Sequence, residues 1–331
     1  MRGARPVTVR GSRPALAELG DGLVIVVFGS LNVDLTVPVT KLPEPGETVL
    51  GPGYQMVPGG KGANQALAAA RAGGKVAMVG KVGRDGFADV ALSELRAGGV
   101  DITRVERDEH PTGCALICVD SKGQNQIVLA TGANATALER QVPDEWLTPQ
   151  TVVLMQMEVW PAQNWALVAR ASARGARVLL NAAPAGPIPG IALAALDWLI
   201  VNETAAVAVA AGLGLGRLEA RAAAAAIAGA ADITCIVTLG GEGALAFEPK
   251  LSWQVGAMDI SPIDTTAAGD AFVGAFAAAI AAGAELPEAL HRASVAGGLS
   301  CLTRGAQTSL PQKSAIEAKL SEIAPPRQLD Y

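Results

Sequence analysis

The sequence predicts an α/β fold, a central and mostly parallel β-sheet covered by helices on both faces, with a small separate β-sheet beside it. Three observations lead there. Apolar runs recur along the chain: LVIVVF at 23–28, VAMVGKVG at 76–83, TVVLMQM at 151–157, RVLLNAA at 177–183, DWLIVN at 197–202 and ITCIVTLG at 233–240. Strands buried on both faces read this way. Helical stretches at about 62–73, 86–98, 161–174, 218–231, 270–283 and 286–301 separate most of them, which is the βαβ rhythm of a parallel sheet. Outside that rhythm stand short strand-like pieces around Leu35–Val39, Glu47–Val57, Gly113–Val119 and Gln126–Thr131, the last two joined by the polar turn DSKGQN. They suggest a flap of four strands or a pair of hairpins with no functional role.

The first apolar run ends in GSLNVD, so Asn32 and Asp34 are expected at a strand's carboxyl end, where open α/β sheets bind ligands. GGKGANQ then opens a helix. It is not a phosphate-binding Walker loop, because Gly62 follows Lys61, and Gln65 stands where a dinucleotide fingerprint needs its last glycine. Its glycines allow close approach of a ligand to the backbone, or simply make a tight turn. Glu158 follows the strand ending MQM and reads as a ligand contact or a surface residue. Asn202, before Glu203, also ends a strand and would bind a ligand or cap the next helix. TLGGEG, Thr238 to Gly243, would wrap a phosphate or make a turn.

The most informative stretch is DTTAAGDAFVGAF, Asp264 to Phe276. The apolar run Ala271–Ala284 is shorter than the roughly 20 residues that span a membrane and reads as a buried helix. Free N–H groups and the positive dipole end at AAG make an anion site. Asp270 there would accept a proton beside that anion, or cap the helix.

Composition narrows the classes. The chain of 331 residues is 50% hydrophobic and 17% charged, enough for a large core. A net charge of −5 with no basic tract beyond the N-terminus gives nucleic-acid binding little support. Four cysteines, with Cys114 and Cys118 not in CxxC spacing, disfavour structural zinc or disulfides and fit a reducing, cytoplasmic setting. Two histidines make a carboxylate the better candidate for a general base. Residues 1–22 carry Arg2, Arg5, Arg10 and Arg13, lack the apolar core of a signal peptide, and are expected to be a disordered extension. Residues 23–325 are expected to form the folded domain.

Taken in order, GSLNVD, PGETV, GGKGANQA, MQME, VNET, TLGGEGA and DTTAAGDAF resemble the ribokinase-like (PfkB) carbohydrate kinases over about residues 23–325. GGKGANQ and TRGAQ-x-S point within that family to D-ribose. The resemblance implies a three-layer fold with a β-sheet lid that also forms a homodimer contact. It implies ATP-dependent phosphorylation of the 5-hydroxyl of D-ribose, with Mg²⁺ and K⁺ as cofactors. Asn32, Asp34, Gly60, Lys61, Gly62, Asn64 and Glu158 match sugar-binding positions. Asn202, Thr238, Gly240, Gly241, Glu242, Gly243, Gly269 and Ser294 match the ATP site, and Asp270 matches the general base. Asp264, Thr266, Ser300, Thr303, Gly305 and Ser309 match a loop holding a monovalent cation. The alternatives are a kinase for deoxyribose, another pentose or a nucleoside, and a catalytically poor sugar-binding pseudokinase.

One departure from the family pattern bears on the metal. The family's Asn-x-x-Glu motif reads Asn202-Glu203-Thr204-Ala205, so the Glu that supports Mg²⁺ is absent. Residues three apart share a helix face, so position 205 is expected beside Asn202, with Glu203 turned away.

Overall fold

The structure is a computed structural model and describes residues 25–329. The 1–22 extension expected from sequence lies outside the described residues. Strand β1 (Ile25–Phe28) starts the main sheet. The chain leaves it for β2 (Asn32–Pro38) and β3 (Gln55–Gly59), then forms α1 (Lys61–Arg71). Next come β4 (Val76–Gly83), α2 (Gly86–Ala97) and β5 (Asp101–Asp108), then β6 (Gly113–Val119) and β7 (Asn125–Ala130). The second half runs β8 (Val152–Met155), α3 (Pro161–Ala173), β9 (Arg177–Asn181), α4 (Gly190–Leu193), β10 (Trp198–Asn202) and α5 (Glu203–Gly212). It continues with α6 (Ala220–Ala231), β11 (Thr234–Thr238), β12 (Ala244–Phe247), β13 (Ser252–Val255), α7 (Ala268–Ala281), α8 (Leu286–Ser300), α9 (Lys313–Lys319) and β14 (Arg327–Leu329).

The main sheet has ten strands in the order β14-β13-β12-β11-β10-β9-β8-β1-β4-β5. It is parallel from β11 to β5 and antiparallel from β11 to β14. Alternate strand residues serve opposite faces. Val27, Leu154, Leu179 and Ile200 pack on one face with α1, α2, α7 and α8. Phe28, Val153, Leu180 and Val201 pack on the other with α3, α5 and α6. The result is three layers. Because β1 lies between β4 and β8, the strand order reverses there, and a crevice opens at the carboxyl ends of β1 and β8.

The small sheet has the order β3-β2-β6-β7, with β2 and β6 parallel and the other pairs antiparallel. One expectation is corrected by it. Only Gln55–Val57 of the expected Glu47–Val57 strand pairs, in a strand that runs on to Gly59, because the Pro- and Gly-bearing segment before it has no ladder partner. Asn32 and Asp34, which follow the carboxyl end of β1, lie in β2 of the small sheet, opposite Gly59 and Val57.

Two Ala-rich helices, α1 and α7, cross at small residues. A Cβ on Gly274 would lie 2.4 Å from the Cβ of Ala68, so glycine is what allows this approach. Helix α6 is carried by alanine propensity and ends at Asp232 in the left-handed region, φ 57°. Among the described residues, no helix is long and apolar enough to cross a membrane.

Candidate active site

The crevice is built first by backbone. The turn after β1 and the start of α1 touch so closely that side chains are excluded. A Cβ on Gly62 would lie 2.5 Å from Ser30 N, and one on Gly60, at φ 90°, 2.8 Å from Asn32 N. A Cβ on Gly59 would fall 2.3 Å from Asp34 Oδ2. These glycines seat β2 against α1, so Asp34 and Lys61 enter one cluster.

Polar side chains line the crevice in a connected set. Asn32 is buried, and its Oδ1 accepts from Asn134 Nδ2 at 2.7 Å. Glu158 accepts from the Ser30 hydroxyl at 2.6 Å and from Lys61 N–H at 3.1 Å. Asp270, 6% exposed, accepts from Asn64 Nδ2 at 3.0 Å and from Gln65 Nε2 at 2.8 Å. Asn64 Oδ1 is buried without a partner among the described residues. A buried acceptor left open in this way suits a ligand hydroxyl.

Three carboxylates and one ammonium share this space, which sets their electrostatics. Burial, then Glu158, then Asp270 push the Asp34 carboxyl up to about 6, with Lys61 opposing. Lys61 is held above its ordinary value chiefly by Asp270, against burial and with help from Glu158 and Asp34.

The anion side begins at α7. Ala267 precedes it in the left-handed region, φ 61°, a conformation that costs an alanine about 1–2 kcal/mol. Ala268 N–H is satisfied by Thr265 O. The N–H groups of Gly269 and Asp270 have no partner among the described residues and point out of the helix start. Gly269 is exposed, and a Cβ there would meet nothing within 4 Å.

Beyond α7 the matched positions are more open. Gly240–Glu242 form one exposed 3₁₀ turn, and Glu242 pairs with Arg221 at 2.6 Å. Gly243, φ 90°, admits no Cβ, which would sit 2.1 Å from Val255 O. Thr238 Oγ1 donates to Val201 O at 3.3 Å, and Ser294 Oγ to Gly256 O at 2.6 Å. Asp264 uses both oxygens: Oδ1 accepts from Thr266 N–H and hydroxyl at 2.9 and 2.6 Å, and Oδ2 from Gly305 N–H at 2.9 Å. Burial opposes ionisation of Asp264, and these donors outweigh it, holding its carboxyl below the ordinary value. Ser300 and Ser309 donate locally, to Gly297 O and Ala306 O, while Thr303 N–H donates to Ser300 O at 3.4 Å.

Asp270, a buried carboxylate at the start of α7, is thus bonded to Asn64 and Gln65 of the Ala-rich helix α1. The family model for pfkB family carbohydrate kinases matches residues 24–313. The chain belongs to the pfkB family of carbohydrate kinases. Among relatives, it is 36% identical to a Bacillus subtilis ribokinase over 303 residues, 90% of this chain and 99% of that one. A Salmonella typhi deoxyribokinase is 33% identical over 303 residues, 90% and 98% of the two chains. A solved structure of Arabidopsis thaliana ribokinase complexed with ribose and ATP has a TM-score of 0.82 at 30% identity, covering 90% of this chain and 99% of that one.

Segment 203–212 is helical, and Asn202 caps it from outside, accepting Ala205 N–H at 2.8 Å, so position 205 lies next to the Asn202 amide. Ala205 itself is 2% exposed, whereas Asn202 and Glu203 are exposed. The sequence reading passed over Gln65, Gln156, Asn134, Asn181 and Ser30. The signal available for Gln65 was a second polar residue, beside Asn64, in the apolar stretch Gly62–Ala69 of a helix expected to be buried.

Proposed function

We propose that this pfkB-family kinase transfers the γ-phosphoryl group of ATP to the 5-hydroxyl of D-ribose, giving D-ribose 5-phosphate. The observation that carries the reading is the position of Asp270. It stands at the start of α7 with free N–H groups beside it, and Asn64 ties it to the crevice where Asn32, Asp34, Lys61 and Glu158 converge.

In this reading Asp34 and the open Asn64 Oδ1 accept hydrogen bonds from sugar hydroxyls, and Asn134 orients Asn32 toward the ring. Asp270 takes the proton of the attacking hydroxyl. The Gly269 and Asp270 N–H groups receive the charge of the phosphoryl group in flight. This is catalysis by positioning and electrostatics. Asn202, Thr238 and the Gly240–Gly243 turn, with Ser294, hold ATP. Mg²⁺, when bound with ATP, neutralises phosphate charge; exposed Glu203 is the carboxylate available to it at the mouth of β10. K⁺ fits the loop of Asp264, Thr266, Ser300, Thr303, Gly305 and Ser309 through backbone carbonyls, since the Asp264 oxygens already accept from protein donors.

The lid is proposed as a homodimer contact. Val128 is 64% exposed on β7 and its cross-strand partner Leu116 49% exposed on β6, together an apolar surface of the kind that partners cover. A cytoplasmic setting is proposed with it, since the four free cysteines suit a reducing compartment.

The test is ribose-dependent ADP release from ATP with Mg²⁺, followed by kcat/KM across a panel of pentoses and nucleosides. Ribose is expected to lead the panel. The Salmonella deoxyribokinase supports deoxyribose as the second reading, and a higher kcat/KM for deoxyribose would select it. Ribose binding without ADP release would instead mark a sugar-binding pseudokinase.

A further inference from the structure

Gln65 is wholly buried in α1, and every hydrogen-bonding group of its amide is engaged. Its Nε2 donates to Asp270 Oδ1 at 2.8 Å and to Asn181 Oδ1 at 2.9 Å. Its Oε1 accepts from Gln156 Nε2 at 2.7 Å. Asn181 is itself fixed by donating to Ile200 O at 3.1 Å. The tips of β8, β9 and β10 thus reach the carboxylate on α7 through one side chain of α1. The amide cannot turn over at low cost, because that would aim Oε1 at the Asp270 carboxylate and at Asn181 Oδ1 and leave Gln156 facing a donor. With both ends of its amide engaged, Gln65 is held in one orientation, although Gln156 Oε1 is buried without a partner among the described residues.

We propose that Gln65 is a positioning residue for phosphoryl transfer: with Gln156 and Asn181 holding its amide, it sets the plane of the Asp270 carboxylate while Asn64 takes the other oxygen. This rests on Asp270 being the base. The charged groups facing Asp270 are Lys61 from α1 and Asp34 from β2, with Glu158, from the segment after β8, acting on those two. None of them bonds to Oδ1, so the Gln65 bond is the direct protein contact to that oxygen among the described residues.

The test uses Gln65→Glu, which keeps shape and replaces the donor with a second carboxylate. A like charge against Asp270 raises the proton affinity of the pair. The acid limb of the kcat–pH profile should move to higher pH by about one unit or more. At its optimum kcat should fall by about 10- to 100-fold, the scale of losing an outer partner of a functional group. Ribose KM should stay within about threefold, because Gln65 is bonded to Asp270 and not placed against the sugar. If Gln65→Glu does not fold, Gln156→Glu is the second variant. It would demand a donor from Gln65, turn the amide over, and shift the limb in the same direction by less. A kcat–pH profile that matches the parent in whichever variant folds overturns the proposal. Asp270→Asn is measured alongside: parental activity there would instead overturn the reading of Asp270 as base. Combining Gln65→Glu with Asp270→Asn should cost no more than Asp270→Asn alone, and additive losses would place the role of Gln65 elsewhere.

Discussion

The sugar side and the nucleotide side of the crevice are built on different principles. On the sugar side, glycines press backbone against backbone, and the buried Asn32 and Asn64 amides are held by Asn134 and Asp270. On the nucleotide side, the Gly240–Glu242 turn is exposed, Gly241 and Gly269 have open space around them, and the Glu242–Arg221 pair lies in solvent. Asp270 sits where the two meet. The difference teaches where selectivity is placed. A pre-organised pocket rejects a wrong sugar because its polar groups are left unpaired, whereas an open surface that presents backbone N–H groups to phosphates tolerates side-chain change.

The comparison breaks first at its glycines. Gly62→Ala forces a Cβ to 2.5 Å from Ser30 N, and overpacking of this kind costs about 1–3 kcal/mol. Ribose turnover should be nearly lost, with Tm lowered. A Gly62→Ala enzyme with parental ribose KM would show that the sugar side is not rigid.

Asp34→Ala removes a charged acceptor, worth about 1.5–3 kcal/mol. Ribose KM should rise about tenfold or more, with ATP KM nearly unchanged; equal losses for both would point to misfolding instead. The pH dependence follows from the same residue. The Asp34 carboxyl is raised from 3.8 to about 6, so ribose KM should climb as pH falls below about 6. The raised value also means that the folded protein binds more protons than the unfolded chain between those two values. The stability that Asp34 contributes is present at low pH and lost as pH rises through about 6. Asp34→Asn should therefore raise Tm at pH 7 while it weakens ribose binding.

The loop proposed to hold K⁺ gives an intermediate effect. Asp264→Ala removes the acceptor that joins Thr266 to Gly305 and should reduce activation by K⁺ several-fold, on the scale of about 1 kcal/mol for each hydrogen bond lost. Equal rates in K⁺ and in a bulky organic cation at matched ionic strength would count against the site. The smallest effect belongs to the open side. Gly241→Ala meets nothing within 4 Å and should leave ribose KM unchanged and ATP KM within about twofold. Surface changes of this kind fall within about 0.5 kcal/mol. A large rise in ATP KM would sharpen the comparison by showing that the turn is as constrained as Gly62.

The parallel core of the fold was legible because buried strands such as Ile25–Phe28 and Thr234–Thr238 carry continuous apolar runs. Strand β5, DITRVERD, was not, since an edge strand that is partly exposed tolerates charge. The antiparallel strands β12 to β14 are short, and their pairing depends on neighbours distant in sequence. For the candidate site, the motif residues Asp34, Lys61, Asn64, Glu158 and Asp270 do converge. Gln65 stayed hidden because its partners come from β8, β9 and α7, a meeting that local spacing does not encode. The burial of Ala205 was not legible either, because the spacing Asn202-x-x-Ala205 does not say which side of the first helical turn meets the core.

The account stands on Asp270 as the group that takes the proton while neighbouring residues hold the sugar. The most direct measurement is kcat together with ribose Kd for Asp270→Asn, on one preparation whose Tm matches the parent. General-base catalysis contributes about 10²–10⁴ in rate, so kcat should fall by that factor with ribose Kd changed by no more than about threefold. A kcat within a factor of a few of the parent would contradict the account.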